Sequence, residues 1–415
     1  MKPIQAISTQ KISTPLASHW TDTLLDYKRM QTDPLGDETV AKIIESGYLK
    51  HIRDVFTTLT SNSSISEDTF SHLPKGLSVM LHDYFEESAK LPDWVNPSLI
   101  EAGEQVFSLY GPEISMLLSV KALPLCYACA KGAHVLAQTG RLSAPNGNIN
   151  PLAKRLMETS QMVVNVLSPG GMRPKGNGII TVQKVRLIHA SIRYFLRHPH
   201  APEQAAWNAT HYGEPINQED MAGTLMAFSA LMLDGLRQLG VELSEEEKNG
   251  YMHIWKVVGH LLGLHDDLLA NTFEEGWALG TTILRRQAAP SKDGKILTEA
   301  CIEFLQYMVP GTLFDDVPEY MLWYFLQDVG KATGHNISDY LGLEETHNLK
   351  AKVFIKLTHL FVHEYSELEE HSGLVRAISG VFNRKLLQGF LNIYNEGKNQ
   401  HFFIPPSLKT NWKLN

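Results

Sequence analysis

The chain has 415 residues and a formal net charge of −8, with 43% hydrophobic and 20% charged residues. This is the composition of an ordinary globular protein with a sizeable core. The negative charge and the lack of a long basic run argue against nucleic acid as the main partner. No apolar run is long enough for a transmembrane segment, and the N-terminus lacks the apolar core of a signal peptide, so we expect a soluble, cytoplasmic protein.

In chain order, most of the sequence predicts helices with short connections. Residues 1–36 predict an N-terminal arm, residues 37–400 one large helical domain, and residues 401–415 a C-terminal tail. Runs of alternating β-branched residues are scarce, the best being 178–185, so we predict an all-α fold. Helices are expected to begin near Asp37, Pro97, Leu152, Thr181, Asn217, Ser244, Lys295, Pro318, Leu349 and Arg376.

Two of the three cysteines have the CxxC spacing that is typical of zinc and redox sites. Cys126 and Cys129 lie in LPLCYACAKG, a segment that reads as the interior of a helix. No second cysteine pair and no CxxH motif accompanies them. Buried thiols therefore explain the spacing better than a metal or redox site.

The helix predicted from Leu152 carries a mixed polar and apolar face. Its members are three and four residues apart and share one side: Arg155, Glu158, Thr159 and Met162. One interpretation is an ordinary amphipathic helix with an intrahelical arginine–glutamate pair. The other is a functional face, because a dry core does not tolerate these charges unpaired. The glycine-rich stretch 167–178 that follows matches no phosphate-binding motif and predicts a connector.

A single histidine interrupts an apolar stripe in the next predicted helix, KVRLIHASIRYFLRH. His189 falls among four aliphatic residues of one face, Val185, Ile188, Ile192 and Leu196. Arg186 and Arg193 lie three residues before and four residues after it, so their guanidinium groups flank the same side. A buried imidazole needs a partner, because an unpaired buried polar group costs about 1–3 kcal/mol.

Three roles for His189 remain open: a core histidine bonded to a backbone carbonyl, a metal or haem ligand, and a general base. Haem suits the surroundings well. It presents an apolar ring, an iron that accepts an imidazole nitrogen, and two propionates that need cations. In that case Arg186 and Arg193 would pair with the propionates.

A second set of possible metal ligands lies closer to the C-terminus. His359, His363 and Glu367 are spaced four residues apart in LTHLFVHEYSE and form a two-turn stripe. The pattern is not HExxH, and its many acids are typical of a solvated face. A metal-dependent enzyme without haem is therefore the alternative from a different class.

The order and spacing of several motifs resemble the catalytic domain of the rubber oxygenases (latex clearing proteins) and the related MpaB-type oxygenases. The resemblance runs from about Leu123 to Leu269 and is carried by TGRL, RLMETSQMVVNVLSPGG, KVRLIHASIRYFLRH, GEPIN, AFSALMLDGLRQLG and WKVVGHLLG. It implies an all-helical fold, globin-like in character, that holds haem b in a buried pocket of the main domain.

The resemblance also implies roles for individual residues. His189 matches the axial histidine that binds the iron, and Arg155 and Thr159 match an arginine and a threonine of the distal helix. Glu158 stands where the rubber oxygenases have a lysine, so we expect it to accept a proton or orient a water rather than bind the iron. Met162 is expected to line the cofactor pocket.

By this resemblance the chain would be a haem b-dependent oxygenase that combines dioxygen with a small hydrophobic substrate, such as an isoprenoid or an unsaturated lipid. A haem-binding protein without turnover needs nearly the same pocket and stays open as an alternative. Because no secretion signal is evident, we expect an intracellular lipid or metabolite as the substrate rather than extracellular rubber.

Overall fold

The structure is a computed structural model. It describes residues 19–61, 64–139, 150–199, 206–309 and 315–343, together with nine single positions between 353 and 387. For residues 60–61 and 150–155 it describes helical backbone without side chains. The helix start predicted at Leu349 and the predicted C-terminal tail lie outside these residues.

The described residues contain helices and no strand, apart from one isolated antiparallel bridge between Cys129 and Ala288. The predicted all-α fold is confirmed. The α-helices are α1 (Asp22–Arg29), α2 (Pro34–Ile43), α3 (Ile52–Ser61), α4 (Lys75–Ser88), α5 (Pro97–Leu117), α6 (Leu123–Ala128), α7 (Ala130–Gln138), α8 (Asn150–Leu167), α9 (Asn177–Arg197), α10 (Ala209–Tyr212), α11 (Gln218–Phe228), α12 (Ala230–Gln238), α13 (Glu245–Leu261), α14 (Phe273–Gln287), α15 (Lys292–Met308), α16 (Val317–Thr333) and α17 (Ile337–Tyr340). Short π- and 3-10-helical turns lie at Ile44–Tyr48, Leu49–His51, Leu118–Ala122 and Asp266–Leu268.

Several helices begin where their capping residues predict. Asn217 accepts a hydrogen bond from the backbone of Asp220 at the start of α11. Ser244 and Glu247 form the reciprocal capping box at the start of α13, in which each side chain accepts from the other residue's backbone N–H. These local contacts need only neighbouring residues, which is why the sequence alone predicts them.

Other boundaries differ from the predictions. α2 begins at Pro34 rather than near Asp37, because proline fits the first helical position, where no N–H is needed. α9 begins at Asn177 rather than at Thr181 and therefore includes the run 178–185, the best strand candidate. Within that run, buried Ile179 and Val182 follow the helical period.

The helix α9 lies between two hydrophobic cores. Its first turns contribute Ile179 and Val182 to the main core. Its middle contributes Leu187 and Ala190 to a smaller core, which is otherwise built mainly from α2, α3 and α4. The middle of α9 is therefore held from more than one side, and this is the stretch that carries His189.

Close contacts between backbones shape the centre of the main core. A Cβ atom added to Gly103 in α5 would lie 2.6 Å from the carbonyl oxygen of Gly250 in α13. The converse addition at Gly250 would meet the backbone nitrogen of Gly103 at 2.6 Å. Only glycine on both helices permits this approach.

The described part of the predicted N-terminal arm is helical and packed. Trp20 donates a hydrogen bond to the carbonyl of Asp267 at 2.8 Å, and buried Arg29 pairs with Glu219 at 3.0 Å. α1 therefore lies against α11 and the turn after α13. Within the described residues, no helix combines the length and the apolar character that a membrane span requires.

Candidate functional site

The predicted site centres on His189, in the middle of α9. The residue is half-buried, and the Nδ1 atom of its ring is fully buried. Its neighbours Leu187 and Ala190 are anchored in the smaller core. The ring therefore projects from a part of the helix that packing holds in place.

The apolar stripe around His189 is not fully covered by protein. Large aliphatic side chains are usually fully buried in a folded domain. Along α9, however, four of them are each half-buried, Val185, Ile188, Ile192 and Leu196. This row gives the helix an apolar surface that a planar hydrophobic group or a lipid chain can cover.

The neighbouring helix α8 supplies the second predicted face. α8 and α9 form a hairpin whose connection is 168–176, and Asn165 donates a hydrogen bond to Thr181 at 2.9 Å near that end. Further from the connection, Thr159 and Met162 are half-buried. Both residues therefore lie on the helix that packs beside α9.

The two charged residues predicted on α8 do not share this setting. Glu158 is exposed, so the burial that would suit it to hold a proton in a dry pocket is missing. Arg155 lies in the first half of α8, where the structure describes the backbone and not the side chain. Their roles stay predictions.

Arg186 is committed to contacts inside the protein. It forms a bidentate pair with Asp33, Nε to Oδ2 at 2.8 Å and Nη2 to Oδ1 at 2.6 Å. Its Nη1 donates to the carbonyl of Leu261 at 3.2 Å. Because each of its three nitrogens is engaged, the geometry does not favour the predicted contact with a propionate.

Arg193, unlike Arg186, has one guanidinium nitrogen that is not engaged in a hydrogen bond. Its Nε donates to Asp37 at 2.6 Å and its Nη1 to the carbonyl of Ile216 at 3.4 Å. Its Nη2 is buried and has no hydrogen-bond acceptor in the described part of the structure, since Asp33 Oδ2 is 3.8 Å away. A buried guanidinium with a spare N–H can accommodate an additional acceptor, such as a carboxylate.

The backbone around Arg193 is strained. Ile216, whose carbonyl faces the guanidinium, has a φ of 51°, which a β-branched residue rarely adopts. The same loop contains Glu214, which accepts from Arg197 at 2.7 Å at the end of α9. Strain of this kind persists where surrounding contacts fix the backbone, and it is common near functional sites.

Asp33 and Asp37 are neighbours of the candidate site that the sequence pattern does not reveal. The sequence marks Asp37 only as a helix start, and no pattern singles out Asp33. The signal available was indirect: Arg186, Arg193 and Arg197 fall on one side of α9, and buried arginines require acids. The sequence does not say which acids, because Asp33 lies 153 positions before Arg186.

The sequence pattern does not single out Lys184 either. Burial lowers its pKa to about 8. It lies five residues before His189, which on a helix turns it well away from the histidine ring. The spacing therefore gives no reason to count Lys184 among the groups beside the imidazole.

Both cysteines of the CxxC pair are half-buried, whereas the sequence predicted buried thiols. Burial raises the pKa of Cys126 to about 12 and the pKa of Cys129 well above its ordinary value. Protonated thiols are poor nucleophiles and poor metal ligands. The segment is not one helix, since Cys129 is extended (φ −75°, ψ 90°) and separates α6 from α7.

The alternative metal ligands His359, His363 and Glu367 lie outside the described residues. Among the described residues, no three His, Cys, Asp or Glu side chains come close enough together to hold a metal ion. The non-haem metal site therefore stays a prediction from the sequence.

A cleft of about 680 Å³ is lined in part by the Asp33–Arg186 pair. Its walls include His260 and His265, and burial lowers the pKa of both. The Nδ1 of His265 lies 3.0 Å from the Nζ of Lys28. Of the predicted site residues, this cleft touches Arg186 alone.

The residues on α9 fit haem b. The group requires an axial ligand, an apolar surface on each side of its ring and cations for its propionates. His189 provides an imidazole with a buried nitrogen, the half-buried aliphatic row provides apolar surface, and Arg193 provides a buried N–H without an acceptor.

The chain is similar in sequence and in fold to known proteins. The family model described as ER-bound oxygenase mpaB/B'/Rubber oxygenase, catalytic domain, matches residues 111–358, more than half of the 415 residues. This range contains α8 and α9 and ends just before His359. A rubber oxygenase from Streptomyces sp. (strain K30) is 23% identical over 281 residues, 67% of this chain.

That alignment spans 64% of the relative's own length. The solved structure of latex clearing protein LCP in the closed state has a TM-score of 0.63 with this chain at 19% sequence identity. The match covers 91% of this chain and 95% of the other, and it supports one all-α domain. The chain therefore belongs to the family of the MpaB-type and rubber oxygenase catalytic domains.

Proposed function

We propose that this protein is a haem b-dependent oxygenase that uses dioxygen to oxidise a hydrophobic, unsaturated substrate. Membership of the family and the name of the Streptomyces relative support the oxygenase activity. The observation that carries the proposal is the setting of His189, a buried imidazole nitrogen beside a half-buried apolar row on a well-anchored helix.

In this proposal His189 binds the haem iron through a neutral ring nitrogen. The haem would supply the dioxygen chemistry that no protein side chain provides. The protein's part is to hold the imidazole at a fixed height and rotation. Leu187 and Ala190, buried on the far side of the same helix, are suited to do that.

Arg193 is our candidate for a propionate partner, in place of the two arginines expected from the sequence. Its spare Nη2 lies on the same side of α9 as His189, one turn further on. Asp37 and the carbonyl of Ile216 hold the guanidinium plane, so it needs little ordering when an anion binds. Arg186 is assigned to the contact between helices.

The aliphatic row of α9 would bind the substrate chain and exclude water. An isoprenoid or unsaturated lipid offers methyl and alkene groups but no charge, which suits a surface of valine, isoleucine and leucine. Met162 on α8 adds a flexible side chain that adapts to irregular apolar shapes. The hydroxyl of Thr159, one turn earlier, would orient a polar atom of the reacting group.

Glu158 and Arg155 complete the proposed face of α8. Because Glu158 is exposed, it would pass a proton to solvent rather than retain it in the pocket. Arg155, four residues before Thr159, would place positive charge near developing negative charge on oxygen. Both roles rest on the family resemblance and on the helical spacing.

The test is to purify the protein after expression with adequate haem supply, and then to supply an isoprenoid such as squalene with isotope-labelled dioxygen. We expect a Soret band, oxygen consumption that depends on the substrate, and label in the product. A protein that takes up no haem would overturn the proposal. A protein that binds haem but turns over neither isoprenoids nor unsaturated lipids would instead be a haem-binding protein.

A further inference from the structure

The contact between α2 and α9 contains buried ion pairs beside the apolar side chains of the smaller core. Asp33, immediately before α2, is 0% exposed and accepts hydrogen bonds from Nε and Nη2 of Arg186. Asp37, one turn later, accepts from Arg193 at 2.6 Å and from Arg197 at 3.3 Å. The arginines follow the period of α9, so the pairs form a ladder along one side of the helix.

Such a ladder of buried ion pairs adds little to the free energy of unfolding, but it can favour one arrangement of α9 against α2 over all others. The desolvation of buried charges offsets most of their attraction. Breaking one partner of a buried pair, by contrast, leaves an uncompensated charge and is strongly unfavourable. A shift of α9 by one residue would separate every pair at once. The ladder therefore specifies how α9 is rotated and where it lies along its axis.

Two glycines leave room for the innermost pair. A Cβ atom at Gly36 would lie 2.5 Å from Asp33 Oδ2 and 3.1 Å from the Cβ of Ala190. A Cβ atom at Gly263, which has a φ of +84°, would lie 2.6 Å from Asp33 Oδ1 and 2.8 Å from Arg186 Nη2. The Asp33 carboxylate thus lies between the two glycines and has little room to move.

His189 lies between the two rungs of the ladder. Arg186 is three residues before it and Arg193 four residues after it, so each is about one helical turn away. We propose that Asp33 is a positioning residue for His189: through Arg186, it fixes the rotation of α9 and so the direction in which the imidazole points. This inference rests on the proposed function insofar as it concerns haem.

The experiment compares two variants and a control. Asp33→Asn removes the charge that holds Arg186. The double variant Asp33→Leu/Arg186→Met removes both buried charges. The matched control is Glu219→Gln, because Glu219 is also 0% exposed and accepts from Arg29 and Arg286, but contacts α1 and α14 instead of α9. Each protein is studied without haem by amide hydrogen exchange, and with haem by absorption spectroscopy and thermal melting.

We expect Asp33→Asn to accelerate exchange in residues 184–196 of the haem-free protein about tenfold, and to shift the Soret band of the haem-loaded protein. The double variant should recover melting temperature, since no buried charge is left unpaired, yet keep the shifted band. Glu219→Gln should lower the melting temperature without a spectral change and without a selective effect on residues 184–196.

The proposal is overturned if Asp33→Asn and the double variant keep the wild-type Soret band and the wild-type exchange of residues 184–196, whatever happens to their melting temperatures. If Asp33→Asn does not fold, the Soret band and the exchange of residues 184–196 in the double variant alone decide whether the proposal holds. If the wild-type protein takes up no haem, the proposed function fails, while the exchange of the haem-free proteins still decides whether Asp33 fixes α9.

Discussion

Arg193 illustrates how one side chain can serve both fold and function. Its side chain is 1% exposed, yet its contacts with Asp37 and Ile216 use only two of its three guanidinium nitrogens. The third nitrogen is buried without an acceptor, an arrangement that costs free energy unless something else binds there. A propionate carboxylate on the same side of α9 as His189 would supply that acceptor.

Arg193→Lys tests this role. Lysine keeps the positive charge but loses the planar fork that holds Asp37 and presents Nη2. We expect haem to dissociate about tenfold faster, equivalent to about 1.4 kcal/mol of lost affinity, measured by transfer of haem to an excess of a haem-free scavenger protein. The control is Arg285→Lys, whose side chain is 54% exposed. Equal haem release from the two variants would contradict the assignment.

For single residues, the sequence predicts well which side chains share a face of α9, but it predicts poorly which distant residues they contact. His189, Arg186 and Arg193 follow from the helical period, which depends on near neighbours alone. Asp33 does not follow from it, because the contact that gives it meaning spans 153 positions. The sequence therefore indicates that Arg186 and Arg193 have partners and leaves open whether these are propionates or aspartates.

Among the elements, α13 shows how a helix end serves the candidate site. Gly263 follows the helix with a φ of +84°, and Leu264 N–H bonds back to Gly259 at 3.0 Å, which closes the helix with a left-handed cap. The same glycine lies against Asp33 and Arg186. The end of α13 thus confines the ion pair that holds α9.

The variants Gly263→Ala and Gly334→Ala separate the two roles of Gly263, which are to adopt the left-handed backbone of the cap and to leave space for Asp33 and Arg186. Both positions have a left-handed φ, but a Cβ at Gly334 meets nothing within 4 Å. We expect Gly334→Ala to lower the free energy of unfolding by about 1–2 kcal/mol, the cost of the backbone conformation. Gly263→Ala should lower it by about 3 kcal/mol or more, because Asp33 and Arg186 must also move. Equal losses in chemical denaturation would contradict the proposed contact.

Element boundaries could be predicted where local chemistry decides them. The helix starts predicted near Asn217 and Ser244 are confirmed, because each is fixed by a cap that involves a residue only three positions away. The run 178–185 looked strand-like because it is rich in isoleucine, valine and threonine. It is helical because tertiary packing buries Ile179 and Val182 one turn apart, and such packing overrides propensity.

At the scale of the whole molecule, three histidines among the described residues are expected to couple stability to pH. Burial lowers the pKa of His253, His260 and His265 below the ordinary value of 6.5. Lys28, 3.0 Å from Nδ1 of His265, and Lys256 near His253 add to the effect. Each histidine therefore binds a proton less readily in the folded protein than in the unfolded chain.

The sign of the pH dependence follows from linkage. Above about pH 6.5 these histidines are neutral in both states. As the pH falls through that value, the unfolded chain takes up protons first, so the free energy of unfolding decreases. We expect the melting temperature to fall between about pH 7 and about pH 5.5, and His265→Asn, which keeps an acceptor for Lys28, to reduce the slope. A variant with the full wild-type slope would contradict the contribution of His265.

The fold class was predictable from the sequence, whereas the arrangement of the helices was not. Helical periodicity and the scarcity of alternating runs suffice for an all-α fold. The crossing of α5 and α13 at Gly103 and Gly250, and the position of α9 between two cores, depend on contacts between distant segments. Those contacts carry no local pattern that periodicity can detect.

The central claim is that the imidazole of His189 holds the haem iron, and a cavity variant tests it most directly. His189→Gly removes the ligand and leaves space for free imidazole. The control is His198→Gly, at the exposed end of the same helix. The measurement is the Soret band of each haem-loaded protein before and after imidazole is added.

We predict that His189→Gly loses or shifts the wild-type Soret band and that added imidazole restores it, while His198→Gly keeps the wild-type band throughout. A His189→Gly protein with the wild-type band and full haem content before any imidazole is added would contradict the account.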